Sequence, residues 1–508
     1  MLYSKLMGIT TKNMVLRSAW LHLVLLALLT AGVYANSLGG DFVYDDKVMI
    51  VKYDLIKDIE NFPRAFISAT SLYGNVNYYR PIQTVSYMID YYLWGDWPPG
   101  FHLTNIFSHI VCVLLVYFFI GMLFKNKSLS FITAVLFAVH PVHTSVVSYI
   151  AGRADAMLCI FMLLCFIFYT RYRFYLKGKS RYAFSLLFFA LSLATKEFAM
   201  MIPLVIVLFD RYAWRWTSLN RQERARPGYL PFFIILTIYI FFRINWMSFF
   251  VEGAMPPFPL KDRLITVPYL IVQYMRLILL PNDLHIGREP WVAQSILNAK
   301  VAFSAVFLIM ISYVVYRGRK NAPAIYFGMW WFLLMIIPSL NITAASYYTF
   351  AENWLYIPSI GLFLVVAAIA EKVYVKLSLS SLPKAKYVVL AFIGLYASAM
   401  GAVTVKQNMT WENEIALGKN TLRFNPKEFK IYNNLGVTYL SRGELGKAEE
   451  YFKKCLEVKP DTGMAYFNLY RVYVARGQHM QACEYLERAR ELDPKRVELL
   501  VDKMGIKD

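Results

Sequence analysis

Eleven separate apolar runs, most of them long enough to cross a bilayer, constrain what this chain can fold into more than any other feature. The first follows Arg17 and extends to about Tyr34; the others lie at about 103–124, 129–148, 150–170, 182–195, 197–212, 229–247, 301–316, 322–340, 355–371 and 386–405. A hydrocarbon core about 30 Å thick takes about 20 apolar residues of helix. Lipid offers no partners to backbone N–H and C=O groups, so runs of this kind are helical. The pattern predicts an all-α polytopic membrane protein of about eleven transmembrane helices. Of 508 residues, 58% are apolar and 17% charged, against about 45–50% and about 25% for soluble domains. Disordered, collagen-like and coiled-coil classes are excluded. Lys5, Lys12 and Arg17 precede the first run, as in a signal peptide. The run is long, however, and lacks a small-residue cleavage site before Asn36, so it reads as an uncleaved span. Five cysteines make no disulfide framework at this length.

The formal net charge is +20. In a soluble protein that would suggest a nucleic-acid partner; here the placement of the charge argues against one. Lys125 and Lys127 form one basic group, and Arg171, Arg173, Lys177, Lys179 and Arg181 a second. Arg211, Arg215, Arg221, Arg224 and Arg226 form a third, Arg317, Arg319 and Lys320 a fourth, and Lys372, Lys376 and Lys384 a fifth. All fall on one side when eleven spans are counted from a cytoplasmic N-terminus, which is the orientation the positive-inside rule predicts. Residues 35–102, about 247–300 and the chain after Lys406 then lie outside. The stretch 263–280 carries Gln273 and Arg276 and reads as an interfacial or re-entrant helix.

Beyond Lys406 the composition turns polar. Pro426, Pro460 and Pro494 are 34 residues apart, and Tyr432, Leu435, Tyr439, Gly443, Ala448 and Tyr451 recur as Tyr466, Leu469, Tyr473, Gly477, Ala482 and Tyr485. This period and pattern are those of a tetratricopeptide repeat (TPR). The expected organisation is a membrane domain over 1–405 and an extracytoplasmic repeat domain over 406–508, with repeats at about 427–460 and 461–494. Such arrays bind extended peptides or, when this short, dock on a neighbouring domain.

Charged residues beside spans mark candidate chemistry, because they are costly there unless paired or functional. Asp45 and Asp46 are adjacent acids soon after the first span. Tyr79-Arg80-Pro81 opens an amphipathic segment with Ile82, Val85, Ile89 and Tyr92 at helical spacing, which reads as a surface helix. An arginine at a helix start suits a phosphate, and equally suits an interfacial anchor. His140-Pro141-Val142-His143 ends one run, and Gly152-Arg153-Ala154-Asp155 begins the next. There Arg153 and Asp155 read either as functional groups or as a structural pair. His-x-x-His lacks a third ligand, so no metal site is expected. Lys196-Glu197 interrupts two runs and reads as an internal ion pair or as a cation facing an anion. Glu352-Asn353 precedes a further run.

These residues resemble the GT-C superfamily of polyprenyl-phosphate-dependent glycosyltransferases, and most of all the transmembrane-and-TPR O-mannosyltransferases and their bacterial relatives. The matching pieces are Phe42 to Asp46, Tyr79-Arg80-Pro81, His102-Leu103-Thr104-Asn105 with His109, His140 to Thr144, Ala151 to Asp155, Lys196-Glu197, Glu352 to Ser359, and the repeats. They cover nearly the whole chain. Asn353 stands where relatives often carry arginine. The resemblance implies a GT-C-like membrane domain. It also implies a catalytic base at Asp45, or at Asp46 beside it, a lipid-phosphate contact at Arg80 and a functional carboxylate at Asp155. Tyr79, His102, His140, His143, Arg153, Glu197 and Glu352 are further candidates.

The chemistry follows from that placement. Nucleotide sugars are absent outside the cytoplasm, so the donor is expected to be a polyprenyl-phosphate sugar. A leaving phosphate needs positive charge, here Arg80 with Lys196, and the acceptor hydroxyl needs a base. No cofactor is required, and a divalent metal is left open. One direct displacement inverts the anomeric centre. A protein Ser/Thr acceptor, engaged by the repeats, is the leading expectation. The alternatives are a glycolipid acceptor, as in aminoarabinose transferases, and a non-catalytic scaffold or flippase. The expected setting is a bacterial inner membrane with periplasmic repeats, or in a eukaryote the ER membrane with lumenal repeats.

Overall fold

The computed structural model describes residues 19–68, 70–72, 76–175, 178–216, 228–246, 258–289, 291–340, 350–380 and 383–504. Lys5, Lys12, Arg17, Lys177, Arg221, Arg224 and Arg226 lie outside the described residues. Apart from a two-stranded hairpin, β1 (Thr70–Leu72) against β2 (Val76–Tyr78), the described secondary structure is helical.

Each of the eleven runs contains a helix. In chain order those that matter here are α1 (Ala19–Gly39), α2 (Pro81–Trp94), α3 (Pro98–Phe124), α4 (Lys127–Val139), α5 (Arg153–Thr170), α6 (Lys179–Leu193), α7 (Ile202–Trp216) and α8 (Leu230–Trp246). They continue as α9 (Leu260–Leu279), α10 (Ala299–Gly318), α11 (Pro323–Ile336), α12 (Ser359–Ser378) and α13 (Lys386–Asn408). By length and composition, six helical segments among the described residues can each cross a membrane. The number is seven if the bent pair Lys127–Val139 and Pro141–Val147, turned by 54°, counts as one span. That is fewer than the eleven expected. The remaining runs form helices too short or too charged to meet the same test: α12, for example, ends with Glu371, Lys372 and Lys376. The 263–280 stretch is indeed helical, with one face buried through Thr266, Leu270, Tyr274 and Ile278.

The chain divides into two compact units, one of residues 1–284 with 290–409, the other of 285–289 with 410–508. In the first, short turns reverse the helices. α3 ends at Lys125 in the left-handed region (φ 52°), and Asn126 then caps α4 by accepting from the Leu129 N–H at 3.0 Å. His140-Pro141 breaks α4, since proline cannot donate to the preceding turn. The core is aromatic: Trp331 on α11 lies 5.4 Å from Phe119 on α3 and 5.5 Å from Phe166 on α5, ring centre to ring centre. α11 and α12 touch backbone to backbone. A Cβ on Gly328 would meet the Gly361 carbonyl oxygen at 2.4 Å, so any larger residue drives the helices apart.

The second unit is an array of antiparallel helix pairs. α14 (Glu414–Phe424) precedes the pair α15 (Phe429–Ser441) and α16 (Leu445–Val458), then the pair α17 (Gly463–Ala475) and α18 (His479–Leu492). Gly443 and Gly477 occupy matching turns at φ 76° and 74°, a backbone that a Cβ strains. Tyr439 stacks on Tyr451 at 5.3 Å, and Tyr473 stacks on Tyr485 at 5.0 Å. The segment 285–289 joins this unit through Asn425, whose amide donates to the Gly287 carbonyl at 2.7 Å, and through His285 stacked on Phe424.

Candidate functional site

The buried side of α2 carries Gln83, Thr84 and Asp90 beside Pro81, Tyr87 and Met88, while Ile89, Tyr92 and Leu93 are exposed. A helix with polar groups turned inward and apolar groups outward suits an interface with lipid. The inward groups build the site. Gln83 donates to the Ala151 carbonyl at 2.9 Å, and the Ile82 N–H to the Ala194 carbonyl at 3.1 Å. Two turns distant in sequence, 150–152 and 194–197, are thereby fixed to the start of α2, where Arg80 sits.

The acid pair divides into two different residues. Asp46 is fully buried. Its carboxylate accepts from the Val43 N–H at 3.0 Å and the Ala151 N–H at 2.7 Å, tying the loop after α1 to the start of α5. Burial pushes its carboxyl well above the usual range, against the pull of those two donors. Asp45 is partly exposed. Its carbonyl accepts from the N–H groups of Val48 and Met49 at 3.0 and 2.8 Å, which anchors its backbone. Tyr44, just before it, lies in the left-handed region (φ 53°). That is uncommon for a bulky residue, costs about 1–3 kcal/mol and clusters at functional sites. Tyr149 borders the pair. Burial first, then the Asp45 and Asp46 carboxylates, push its phenol up, so it stays protonated.

Three ion pairs lie beside this turn. Arg80 meets Glu197 at 3.1 Å, with side chains 16% and 22% exposed. Lys196 meets Asp155 at 2.5 Å, and Asn353 donates to the other Asp155 oxygen at 3.0 Å. Arg153 meets Asp90 on α2 at 2.6 Å. Arg153 therefore does not pair with Asp155, two residues on, because neighbours at that spacing point to different sides of a helix. Its guanidinium also donates to Asn105 at 2.9 Å, to the Phe101 carbonyl at 3.0 Å and to Ser86 at 3.2 Å, and lies 4.6 Å above the Tyr87 ring. Thr104 donates to the second Asp90 oxygen at 2.7 Å. Lys196 and Glu197 do not pair with each other but with residues of other elements.

The other candidates separate in the same way. Tyr79 is buried, donates to the Phe66 carbonyl at 2.9 Å and borders Arg80. Glu352 is buried at the start of the turn that delivers Asn353. His102 is buried against Gly40, where a Cβ would meet its Nε2 at 2.9 Å. His140 and His143 turn into the core: His140 contacts the Ile278 carbonyl at 2.8 Å, and His143 the Phe137 carbonyl at 2.9 Å and Ser359 at 3.0 Å. Both are occupied in packing. Among the described residues no group of three His, Cys, Asp or Glu is set to hold a metal.

The tetratricopeptide repeat family matches residues 429–462. Over 459 residues the chain is 27% identical to a protein O-mannosyl-transferase of Caenorhabditis elegans, covering 86% of this chain and 63% of that one. It is 25% identical over 485 residues to the protein O-mannosyl-transferase TMTC3 of Mus musculus (87% of this chain, 51% of that one). It is 26% identical over 483 residues to TMTC1 of Homo sapiens (84% and 54%). The chain is a relative of the TMTC-type protein O-mannosyl-transferases. It spans about half to three-fifths of the length of these curated relatives. No solved structure matches it. The chain itself carries a tetratricopeptide repeat and, among its described residues, six helical segments long and apolar enough to cross a membrane.

In this TMTC relative, sequence reasoning missed Asp90, Tyr149 and Arg243. Asp90 lies between Ile89 and Tyr91 with no local partner in sequence. A signal did exist: an acid on the stripe of Gln83 and Tyr87, opposite the apolar one. Arg243 is buried in α8, its guanidinium carbon 5.5 Å from the Tyr79 ring centre. It is the single charged residue of that helix. Arg173, assigned from sequence to a basic loop, instead forms a buried pair with Asp210 at 2.6 Å. That pair lies near the far end of α5, about 27 Å from Asp155 at 1.5 Å per residue.

Proposed function

We propose that this protein is an inverting glycosyltransferase that moves a sugar, mannose by analogy with its relatives, from a polyprenyl-phosphate donor to a protein Ser or Thr hydroxyl at the extracytoplasmic face of a membrane. Asp45 takes the proton of the acceptor hydroxyl as its oxygen attacks the anomeric carbon. The bond from that carbon to the phosphate oxygen breaks, and its electron pair leaves with the phosphate. Arg80 and Lys196 supply the positive charge that this oxygen meets. Asp46 positions Asp45, and Tyr44 and Tyr149 border it. Asp155 and Asn353 hold Lys196. The repeat unit engages the acceptor protein. The N-terminus is cytoplasmic, and all eleven runs lie in the membrane, the shorter ones within the bundle.

The observation that carries this reading is the division of labour in the acid pair. One carboxylate is wholly spent on two backbone N–H groups. The other is partly open, on a strained turn, in the region that also holds Arg80. A scaffold has no use for that strain. The test is transfer by the purified full chain from a synthetic polyprenyl-phosphate mannose to Ser/Thr peptides. Wild-type transfer with inverted product, lost in Asp45→Asn, is the expected result. Transfer undiminished in Asp45→Asn, Asp46→Asn and the double variant would remove the catalytic role. Transfer to glycolipid but not to peptide would move the acceptor to the other class.

A further inference from the structure

Of the run from Glu352 to Ser359 the mechanism above uses only Asn353, and it leaves His109 without a role. Both belong to one assembly that ends on Lys196. A lysine carries its charge on a flexible four-carbon stem, so the place of the ammonium depends on what it meets. Lys196 meets the Asp155 carboxylate at 2.5 Å and the face of Phe198, whose ring centre is 4.9 Å away. The turn Glu352–Leu355 supports both. Asn353 donates to the second Asp155 oxygen at 3.0 Å, which stops the carboxylate from rotating. Trp354 packs on Phe198 with ring centres 6.3 Å apart.

That turn is four residues of 3-10 helix, too short to hold its own shape. Its fixed point is Tyr356. The Tyr356 N–H closes the turn on the Asn353 carbonyl at 3.2 Å. The side chain is buried, with Phe137 and His143 packed against its ring at 5.0 and 4.8 Å between centres. Its hydroxyl lies 2.6 Å from Nδ1 of His109 on α3, and His109 Nε2 faces the Ala138 carbonyl at 3.3 Å. A carbonyl only accepts, so Nε2 carries the ring hydrogen, Nδ1 accepts, and the Tyr356 hydroxyl donates. Ile357 is tied separately, its carbonyl accepting from Trp331 Nε1 at 3.1 Å. The chain beyond the turn therefore has an anchor of its own.

We propose that Tyr356, with His109 as its acceptor, is a positioning residue of the donor site: it holds the 352–355 turn and, through Asn353 and Trp354, sets where the Lys196 ammonium stands. This rests on the reading of Lys196 as a donor-phosphate cation and deepens it. The ammonium acts on charge that develops as the phosphate leaves. Displacing it by a fraction of an ångström therefore lowers rate more than it lowers donor binding.

The test is kinetic, with the purified full chain, a synthetic polyprenyl-phosphate mannose and a Ser/Thr peptide. Tyr356→Phe removes one hydroxyl and keeps the ring. It should lower kcat about five- to tenfold, the worth of one hydrogen bond, with the peptide KM and the melting temperature near wild type. Asn353→Ala should lose at least as much. Tyr356→Phe/Asn353→Ala should be little worse than Asn353→Ala alone, because the two changes interrupt one route. A merely structural tyrosine would instead lower the melting temperature and multiply with Asn353→Ala. If Tyr356→Phe does not fold, His109→Gln, which keeps a donor for the Ala138 carbonyl and removes the acceptor of the tyrosine, should show the same loss. Wild-type kcat in Tyr356→Phe or His109→Gln, or full multiplication in the double variant, overturns the proposal. Lys196→Gln transferring as the wild type does removes the donor-cation reading of Lys196 itself, which is a separate outcome.

Discussion

Two ion pairs lie at the two ends of α2, and they are built to opposite plans. Arg153–Asp90 is closed: side-chain exposures are 1% and 3%, and Asn105, Phe101, Ser86, Thr104 and the Tyr87 ring take up most of the remaining donors and acceptors. Arg80–Glu197 is more exposed, at 16% and 22%, and meets at 3.1 Å. A buried pair survives the loss of water when further hydrogen bonds compensate its charges, as those around Arg153 do. Arg80 is placed to be usable instead. The same contrast in burial divides Asp46, fully buried, from Asp45, partly exposed. Position along the chain does not separate the two kinds of charge here; depth of burial does.

Substitutions at four positions test that contrast, in falling order of effect. On the open side, Asp45→Asn should lower transfer ~10²–10⁴-fold, the usual cost of losing a positioned base, while the melting temperature stays near wild type. Asp46→Asn should act in the opposite sense, through the fold, because only one of its two N–H donors keeps an acceptor. On the closed side, Arg153→Gln leaves Asp90 buried without its cation and should cost about 3–5 kcal/mol of stability, measured by thermal or chemical denaturation in detergent. An Arg153→Gln protein as stable as wild type would end the distinction. Arg80→Ala should cost about 1.5–3 kcal/mol in kcat/KM for the lipid donor, with Arg80→Lys recovering part and stability hardly altered.

The smallest effect belongs to an exposed network in the repeat unit. Glu449 meets Lys453 at 2.6 Å and Arg476 at 2.6 Å, and accepts from Tyr473 at 2.8 Å. Burial is the largest single influence and pushes its carboxyl up, but these three partners together outweigh it and hold it down at about 2. A depressed carboxyl stabilises above its unfolded value and loses that contribution as pH falls through the folded one. The window therefore runs from about pH 4.5 down to 2. Solvent screening keeps the gain under about 1 kcal/mol. Hydrogen exchange in α16 and α17 should quicken across that window in the wild type and show no such step in Glu449→Gln.

The helices were legible because lipid leaves the backbone one solution and apolar length reports it directly. The repeats were legible because the same contacts recur at one register, down to the left-handed glycines at 443 and 477. Which runs cross alone was less so: His140-Pro141 ends one helix inside an apolar run, and charges such as Lys372 shorten the apolar stretch without ending the helix. The acids and Arg80 stood out as charges in an apolar chain. Their partners did not, since Asp90 is 63 positions from Arg153, and Glu197 is 117 from Arg80. Such pairings arise only when α2, α3, α5 and the 194–197 turn pack together. The partners of the histidines were hidden for the same reason: Ile278 and Ser359, which contact His140 and His143, lie far along the chain.

The outward apolar stripe of α2 has a kinetic consequence. A donor that reaches Arg80 past Ile89, Tyr92 and Leu93 arrives sideways, within the leaflet. Its search is then two-dimensional, and the quantity that saturates the enzyme is the number of donor molecules per lipid, not per litre. Adding empty lipid at constant donor and protein should slow transfer as dilution slows a solution reaction, whereas adding buffer should leave the rate per enzyme unchanged.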